Sequence, residues 1–98
     1  MSKVKVAIII PCFNEQDSVL NLYNEIKSIQ YSSDFLVEPI FINDCSTDAT
    51  KTILFQNNIH HINLPVNLGI GGAVQTGFKY AFKNNFDKRI VNDQLQRA

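Results

Sequence analysis

The stretch from residue 4 to residue 15, VKVAIIIPCFNE, carries the strongest fold signal in the chain. Its first part, Val4 to Ile10, is rich in β-branched residues and almost continuously apolar. This pattern is typical of a parallel strand that is covered by other elements on both faces. Pro11 is predicted to end the strand, because proline has no N–H to donate to a neighbouring strand.

The rest of the chain alternates between helix and strand patterns. Asp17 or Ser18 is the predicted N-cap of the first helix, and Asp48 is the predicted cap of the second. Pro39 is expected to mark an irregularity or an edge in the second strand. After the first strand we predict helices from about Val19 to Ile29, Ala49 to Asn57 and Gly69 to Asn84, and strands from Phe35 to Asn43, Ile59 to Asn63 and, as a short fourth strand, Lys88 to Asn92.

This order of elements predicts an α/β fold. Strands that alternate with helices along a chain form a parallel sheet with right-handed crossovers. We therefore expect a three-layer α/β/α architecture with a parallel sheet of three to four strands. The 98 residues fit one domain and leave no room for two.

Composition excludes several classes of function. Nine Lys plus Arg balance nine Asp plus Glu, which disfavours a nucleic-acid binder or a polybasic membrane binder. The longest strictly apolar run is Val6 to Ile10, whereas a membrane-spanning helix needs ~20 residues, so no membrane span is expected. Cys12 and Cys45 form no CxxC pair, and the adjacent His60 and His61 lack the spacing of zinc ligands. The start of the chain lacks the pattern of a signal peptide, so we expect a reduced, cytoplasmic protein.

Three polar segments follow the predicted strands, and each comes just before a predicted helix. They are residues 11–15, 43–48 and 67–72. In open parallel sheets, ligands bind at the carboxyl ends of the strands. Free backbone N–H groups at the starts of helices favour anions. Together the three segments predict a nucleotide or phosphate pocket.

Two familiar phosphate-binding motifs do not fit the third segment. A dinucleotide motif GxGxxG that starts at Gly69 would need glycine where Val74 stands. A Walker loop that starts at Gly72 would need lysine where Phe78 stands. Neither an NAD site nor an ATPase is therefore predicted.

The three segments together resemble the family 2 glycosyltransferases, which have the GT-A fold. Residues 9–15, IIPCFNE, look like the opening strand and the Pro-x-x-Asn-Glu turn of that family. Residues 43–50, NDCSTDAT, are similar to its Asp-x-Ser-x-Asp-x-Thr segment, and residues 67–77, NLGIGGAVQTG, resemble its Asn-x-Gly loop and following helix. The resemblance covers roughly residues 4 to 87, and its last part is most similar to bacterial members that use UDP-, GDP- or dTDP-sugars, including polyprenyl-phosphate sugar transferases.

This resemblance implies a nucleotide-sugar donor, linked to UDP, GDP or dTDP, and inverting sugar transfer. Asp44 would accept a hydrogen bond from a ring N–H of the nucleobase, which suits uracil, thymine or guanine. Glu15 would lie beside the ribose, whereas Asp48 is assigned mainly to helix capping. The positions that the resemblance assigns to nucleotide binding are Pro11, Cys12, Phe13, Glu15, Asp44, Ser46, Asn67 and Gly69.

The chain departs from the family pattern after Asp87. Catalysis in the family needs an Asp-x-Asp pair that holds Mg²⁺ or Mn²⁺, and a later Asp or Glu as general base. By the family's usual spacing, Asp93 falls on the first aspartate and Leu95 on the second, so no metal site is assigned and Asp93 is only a weak metal candidate. No catalytic residue is identified. We expect residues 1–98 to be a single, truncated GT-A nucleotide-sugar-binding domain with little transfer activity alone.

Two alternatives to an enzyme stay open. The chain is a nucleotide-binding or interaction module that needs a partner chain for the metal and acceptor sites, or it is an inactive fragment. The expected location is the cytoplasm, with the inner membrane face an option for a complete relative.

The family's strand order has a further consequence for the first strand. That order leaves the apolar edge of Val6 to Ile10 exposed, which predicts a homodimer or aggregation through this edge unless Lys88 to Asn92 covers it. Cys12 and Cys45 are expected to be buried small hydrophobic residues at the ends of neighbouring strands, where an adventitious disulfide is an option.

Overall fold

The computed structural model describes residues 3–97. It contains a four-stranded, fully parallel sheet in the order β3-β2-β1-β4. The predicted α/β fold is therefore confirmed. The strands are β1 (Val4–Cys12), β2 (Phe35–Asn43), β3 (His61–Asn63) and β4 (Lys88–Val91), and the helices are α1 (Val19–Ser28), α2 (Thr50–Gln56) and α3 (Gly69–Lys83).

The sheet has a helix-covered core on each face. On one face, Ile10, Cys12 and Phe41 pack with buried residues of α1 and α2. On the other face, Ile9 and Ile42 pack in a cluster that contains Ala73 and Ala81 of α3. Because β1 is buried from both sides, almost every one of its residues is apolar, as the sequence pattern indicates.

The prediction that Pro11 ends the first strand is wrong. β1 runs to Cys12, and Pro11 lies opposite Ile42 in the register with β2. Asn92 donates its N–H to the carbonyl of Ile9, so the nitrogen of Pro11, two residues later, faces the same side as β4. Its missing hydrogen ends the pairing with β4, while the pairing with β2 continues.

Pro39 lies in a part of β2 that has no neighbouring strand on the β3 side, so the expected edge is confirmed locally. It lies opposite Ile8, and β3 pairs only with the last three residues of β2, from Phe41 onwards. Phe41 donates its N–H to His60 on the β3 side, so the nitrogen of Pro39 also faces that side, beyond the reach of β3. No hydrogen bond between strands is lost there.

The edge of the first strand is not exposed, because the fourth strand covers it, which is the exception that the sequence prediction allowed. β4 pairs in parallel with Val6–Ile9 of β1, opposite the side taken by β2. On this side the edge strand of the sheet is β4, whose four residues are all exposed. The reason given for a homodimer through Val6 to Ile10 therefore does not hold.

Both α2 and β3 are shorter than predicted, because a tight turn joins them. α2 ends at Gln56, and Asn58 adopts the left-handed conformation with φ 52°. Ile59 donates its N–H to the carbonyl of Leu54 and lies buried in the core beside α2, so β3 begins only at His61. Among residues 3–97, no helix is both long and apolar enough to cross a membrane.

Candidate functional site

The candidate site lies at the carboxyl ends of β1, β2 and β3. Three loops meet there: residues 13–18 after β1, residues 44–49 after β2 and residues 64–68 after β3. A fourth segment, residues 92–97 after β4, reaches the same end of the sheet. Parallel strands bring these segments together because each strand ends at the same edge of the sheet.

Asn14 joins the first loop to the second. Its backbone N–H donates to Ser46 Oγ at 2.9 Å, and its side-chain Oδ1 accepts from the N–H of Thr47 at 2.7 Å and of Asp48 at 3.3 Å. Asn14 has φ 51°, a left-handed conformation that asparagine tolerates better than most residues. The turn after β1 therefore folds back onto the loop after β2, and Ser46 serves this junction.

Asp48 caps the start of α2, as the sequence predicts. Its Oδ1 accepts from the N–H of Thr50 at 2.9 Å and from the Thr50 hydroxyl, and its Oδ2 accepts from the N–H of Gln16 at 3.3 Å. Desolvation pulls the pKa of Asp48 upward, but the hydrogen bonds from Thr50 and Gln16 outweigh it and hold the pKa below its ordinary value. Asp48 is thus an ionised residue with a structural role, and both of its carboxylate oxygens already accept hydrogen bonds within the protein.

Asp44 stands at the centre of the site. It follows β2, an interior strand, and its side chain is fully buried. Oδ1 accepts the N–H of Leu68 at 2.7 Å, and Oδ2 accepts the side-chain Nε2 of Gln96 at 2.8 Å. A buried carboxylate is costly unless such donors satisfy it. Asp44 therefore meets the predicted position at a strand end, but its carboxylate is fully engaged.

Asn67 and Gly69 place the start of α3 beside Asp44. Asn67 donates its side-chain Nδ2 to the carbonyl of Asp44 at 3.2 Å, and its Oδ1 accepts the N–H of Gly69 at 3.1 Å. Gly69 has φ 76°, which a residue with a side chain rarely adopts. The positive end of the α3 dipole points at the Asp44 carboxylate, so the anion at this helix terminus belongs to the protein.

Several of the backbone N–H groups at this rim already have acceptors within the protein. The N–H groups of residues 47–50 donate to side chains of the first two loops, and the N–H groups of Leu68 and Gly69 donate to Asp44 and Asn67. A phosphate would therefore displace existing hydrogen bonds at these positions. The loops are built to hold one another, with Asp44 at the centre.

Of the positions assigned to nucleotide binding after β1, two belong to the core. Pro11 and Cys12 are fully buried. Cys12 contributes its carbonyl, which accepts the N–H of Asp44 at 2.9 Å, and its thiol lies near the carbonyl of Ile42. Neither residue has an exposed side chain with which to line a site. The disulfide considered above is not formed, because Cys12 and Cys45 are free thiols.

Phe13 and Glu15 are partly exposed and line a cavity of about 320 Å³ together with residues of the segment after β4. The backbone N–H of Glu15 donates to the hydroxyl of Thr50 at 3.0 Å. This cavity touches both the first loop and Gln96, and it lies next to Asp44 through that residue.

The site is electronegative. Burial, as the larger cause, and the nearby carboxylates of Asp48, Glu15 and Asp44 together raise the pKa of the Cys12 thiol to about 12. A concentration of carboxylates favours ligand groups that donate hydrogen bonds, such as a ring N–H or a sugar hydroxyl, and disfavours phosphates.

The residues after β4 do not fit a metal ion. Asp93 is exposed, while Leu95 is buried in the core with Cys12 and Val19. Within residues 3–97, no group of three or more His, Cys, Asp or Glu side chains could hold a metal ion. The expected Mg²⁺ or Mn²⁺ therefore has no site in the described part of the chain.

Sequence reasoning missed two residues that shape the site. Asn43 is buried, donates Nδ2 to Asn63 at 2.9 Å and accepts the N–H of Ser46, which orders the turn that presents Asp44. An asparagine at the end of a buried apolar strand is the signal that points to such a role. Gln96 was missed because nothing in the local sequence indicates a contact with a residue 52 positions away.

Comparison with known proteins matches the chain to one family. Residues 7–84 match the model of "Glycosyl transferase family 2". The bactoprenol glucosyl transferase of Shigella phage SfV is 35% identical over 51 residues, which cover 52% of this chain and 17% of that protein. The dolichyl-phosphate beta-glucosyltransferase of Trichomonas vaginalis is 29% identical over 86 residues, which cover 78% of this chain and 27% of that protein.

A poly-beta-1,6-N-acetyl-D-glucosamine synthase of Staphylococcus epidermidis is 30% identical over 80 residues, which cover 78% of this chain and 19% of that protein. The chain thus spans less than a third of the length of each of these relatives. The matched residues 7–84 contain the three loops that surround Asp44, together with all three helices, and they make up most of the chain. The chain therefore belongs to glycosyl transferase family 2.

Proposed function

We propose that this chain binds the nucleotide end of a nucleotide-sugar donor, with the base at Asp44, as the donor-binding part of an inverting glycosyltransferase. The observation that carries the proposal is the fully buried Asp44 carboxylate at the carboxyl end of β2. Its Oδ1 is fixed by the start of α3, while its Oδ2 pairs with a side-chain amide, a group that a ligand can replace.

The chemistry of that oxygen defines the ligand edge. A carboxylate only accepts hydrogen bonds when it is ionised, so its partner must be an N–H or O–H group. Uracil, thymine and guanine each present a ring N–H beside a carbonyl oxygen. UDP-, GDP- and dTDP-sugars therefore fit the site, and the partly exposed Phe13 and Glu15 border the adjoining cavity where the base face and the ribose would lie.

The remaining roles follow from the placement of the loops. Ser46 and Asn67 would act by holding the loops on either side of Asp44, because their polar atoms already bond to Asn14 and to the Asp44 carbonyl. Gly69 would act through the left-handed turn that starts α3. Pro11 and Cys12 would contribute only backbone.

Members of the family generally use a divalent metal, but Asp93 and its neighbours do not fit one, so the diphosphate and the sugar lie outside what residues 3–97 account for. Transfer activity, the sugar and the acceptor are therefore proposals for the complete enzyme. We place the protein in the cytoplasm, since its two free thiols suit a reducing compartment.

Calorimetric titration with UDP, GDP and dTDP, each with and without Mn²⁺, tests the proposal. We expect one of the three to bind with little dependence on metal. Asp44→Asn keeps the shape and the acceptor for Leu68 but turns a donor toward the base, so it should abolish that binding. Asp34→Asn, at an exposed position in the loop before β2, is the matched control and should bind as the wild type does.

A turnover assay with the matching nucleotide-sugar, run beside the titration, separates the alternatives. Binding without sugar turnover favours a nucleotide-binding module that works with another chain, whereas turnover of a nucleotide-sugar favours an enzyme. A chain that is folded by circular dichroism but binds none of the three nucleotides contradicts the proposal.

A further inference from the structure

The Gln96 side chain occupies the place that the proposed function gives to the base. Its Nε2 donates to Asp44 Oδ2 at 2.8 Å, whereas Leu68 takes only Oδ1. We propose that Gln96 is an internal competitor for the nucleobase, so that a nucleotide binds only when this side chain leaves Asp44. The inference rests on the proposed function, because it concerns the same carboxylate.

The carboxamide of Gln96 has the same hydrogen-bonding edge as the proposed ligand. It presents an N–H donor beside a carbonyl acceptor, as do the ring edges of uracil, thymine and guanine. In the absence of a ligand, it supplies the donor that a buried Asp44 carboxylate needs. A base that enters the site would replace this hydrogen bond with an equivalent one.

A tether keeps Gln96 close to the site. Leu95, the preceding residue, is 7% exposed and packs in the core against the side chains around Cys12. Its carbonyl also accepts the N–H of Phe13 at 3.4 Å. Since Gln96 is attached to this anchor, its competition with a nucleotide is intramolecular and acts at a high effective concentration.

The contact between Gln96 and Asp44 leaves one buried polar atom without a partner, and this allows the contact to break. Gln96 Oε1 is buried and finds no hydrogen-bond partner among residues 3–97. A buried polar atom without a partner costs free energy. Moving the Gln96 side chain into water relieves that cost. A base bound to Asp44 then supplies the hydrogen-bond donor that Gln96 withdrew. The free energies of the two states are therefore close enough for a ligand to shift the equilibrium between them.

Nucleotide titration of Gln96→Ala against the wild-type chain tests the competition. We expect the nucleotide that binds the wild type, among UDP, GDP and dTDP, to bind Gln96→Ala roughly tenfold more tightly, the effect of a lost charged hydrogen bond. Gln30→Ala removes a glutamine side chain from the exposed loop after α1 and should leave the affinity unchanged.

A measurement on the wild type avoids dependence on the variant. The side-chain amide signals of Gln96 in a ¹⁵N–¹H spectrum should shift on nucleotide addition toward those of exposed glutamines. If the wild type and Gln96→Ala bind equally, or if a bound nucleotide leaves these signals unmoved, the competition is wrong while the proposed function stands. If neither chain binds any of the three nucleotides although both are folded, the proposed function fails and the competition fails with it.

Discussion

Gly77 of α3 lies directly against Ile9 of β1, with no space for a side chain between them: a Cβ atom on Gly77 would overlap Ile9 Cγ2. Ala73 and Ala81, one turn away on either side, are buried on the same face of the helix. These small residues let α3 approach the sheet closely. That approach sets where α3 begins, and the N–H of Leu68, the residue just before the helix, donates to the Asp44 carboxylate.

Replacing Gly77 with alanine should destabilise the fold. Overpacking a core typically costs about 1–3 kcal/mol, and the better helix propensity of alanine returns at most ~1 kcal/mol, so a net loss is expected. Urea denaturation followed by circular dichroism measures the change. Gly71→Ala is the matched control, because a Cβ atom there meets nothing within 4 Å.

The control should move in the opposite direction. Gly71 is exposed within the same helix, so alanine there should stabilise the chain by roughly 0.5–1 kcal/mol. If Gly77→Ala were as stable as Gly71→Ala, the close contact of α3 with Ile9 would not be a feature of the folded protein.

Asn14 is expected to contribute through its side chain as well as through its backbone conformation. Asn14→Gly tolerates the left-handed turn and loses only the hydrogen bonds to Thr47 and Asp48. Asn14→Ala loses the same hydrogen bonds and is also strained in the left-handed conformation. Each lost hydrogen bond is worth about 0.5–1.5 kcal/mol, and the left-handed conformation costs alanine about 1–2 kcal/mol. The urea midpoint should therefore fall in the order wild type, glycine variant, alanine variant.

Asn58 provides the control for that order. Its φ of 52° matches that of Asn14, but it is exposed in the turn after α2. Asn58→Gly should leave stability nearly unchanged, and Asn58→Ala should show the backbone cost alone. Equal losses for Asn14→Gly and Asn58→Gly would mean that the junction between the first two loops adds nothing to stability.

The sequence predicts the sheet well because its signals are local and redundant. The apolar run from Val4 to Ile10 specifies a buried strand, and the capping role of Asp48 depends only on the two residues that follow it. The ends of the elements are harder to predict. Whether Pro11 stops a strand depends on which side of the sheet its nitrogen faces, and this is decided by the position of β4.

The candidate site is only partly predictable for a similar reason. The position of Asp44 at a strand end follows from the alternation of helices and strands. Its complete burial does not, because it depends on the approach of α3 and on Gln96, which the chain brings in from far along the sequence. Contacts of this kind are set by packing, which no local pattern encodes.

Asp48 should make the fold sensitive to acid. Because hydrogen bonds lower its folded-state pKa below the ordinary value of 3.8, the folded state binds the proton less readily than the unfolded state does. The ionised form therefore stabilises the protein above about pH 4, and that contribution disappears as the pH falls through the folded-state pKa. Asp48→Asn should lower the urea midpoint at neutral pH, with a smaller difference from wild type near pH 2.5.

Asp17→Asn is the control for this acid effect. Asp17 is exposed just before α1, and its substitution should change the midpoint little at either pH. A difference between Asp48→Asn and wild type that is equally large at acid and neutral pH would show that the hydrogen bonds do not depend on the ionised carboxylate.

Cys12 should make the fold sensitive to alkali, with the opposite sign. Burial and the neighbouring carboxylates raise the pKa of its thiol from 9.0 to about 12, so the folded chain keeps this proton at a pH where the unfolded chain loses it. The free energy of unfolding should therefore fall as the pH rises from 9 to about 12, by up to about 1.4 kcal/mol for each pH unit from this group alone.

Cys12→Ala removes the titrating group, so its free energy of unfolding should fall less steeply above pH 9 than that of the wild type, even though the variant is less stable at neutral pH. Identical slopes for the two chains would mean that the Cys12 thiol ionises as easily in the folded protein as in the unfolded one.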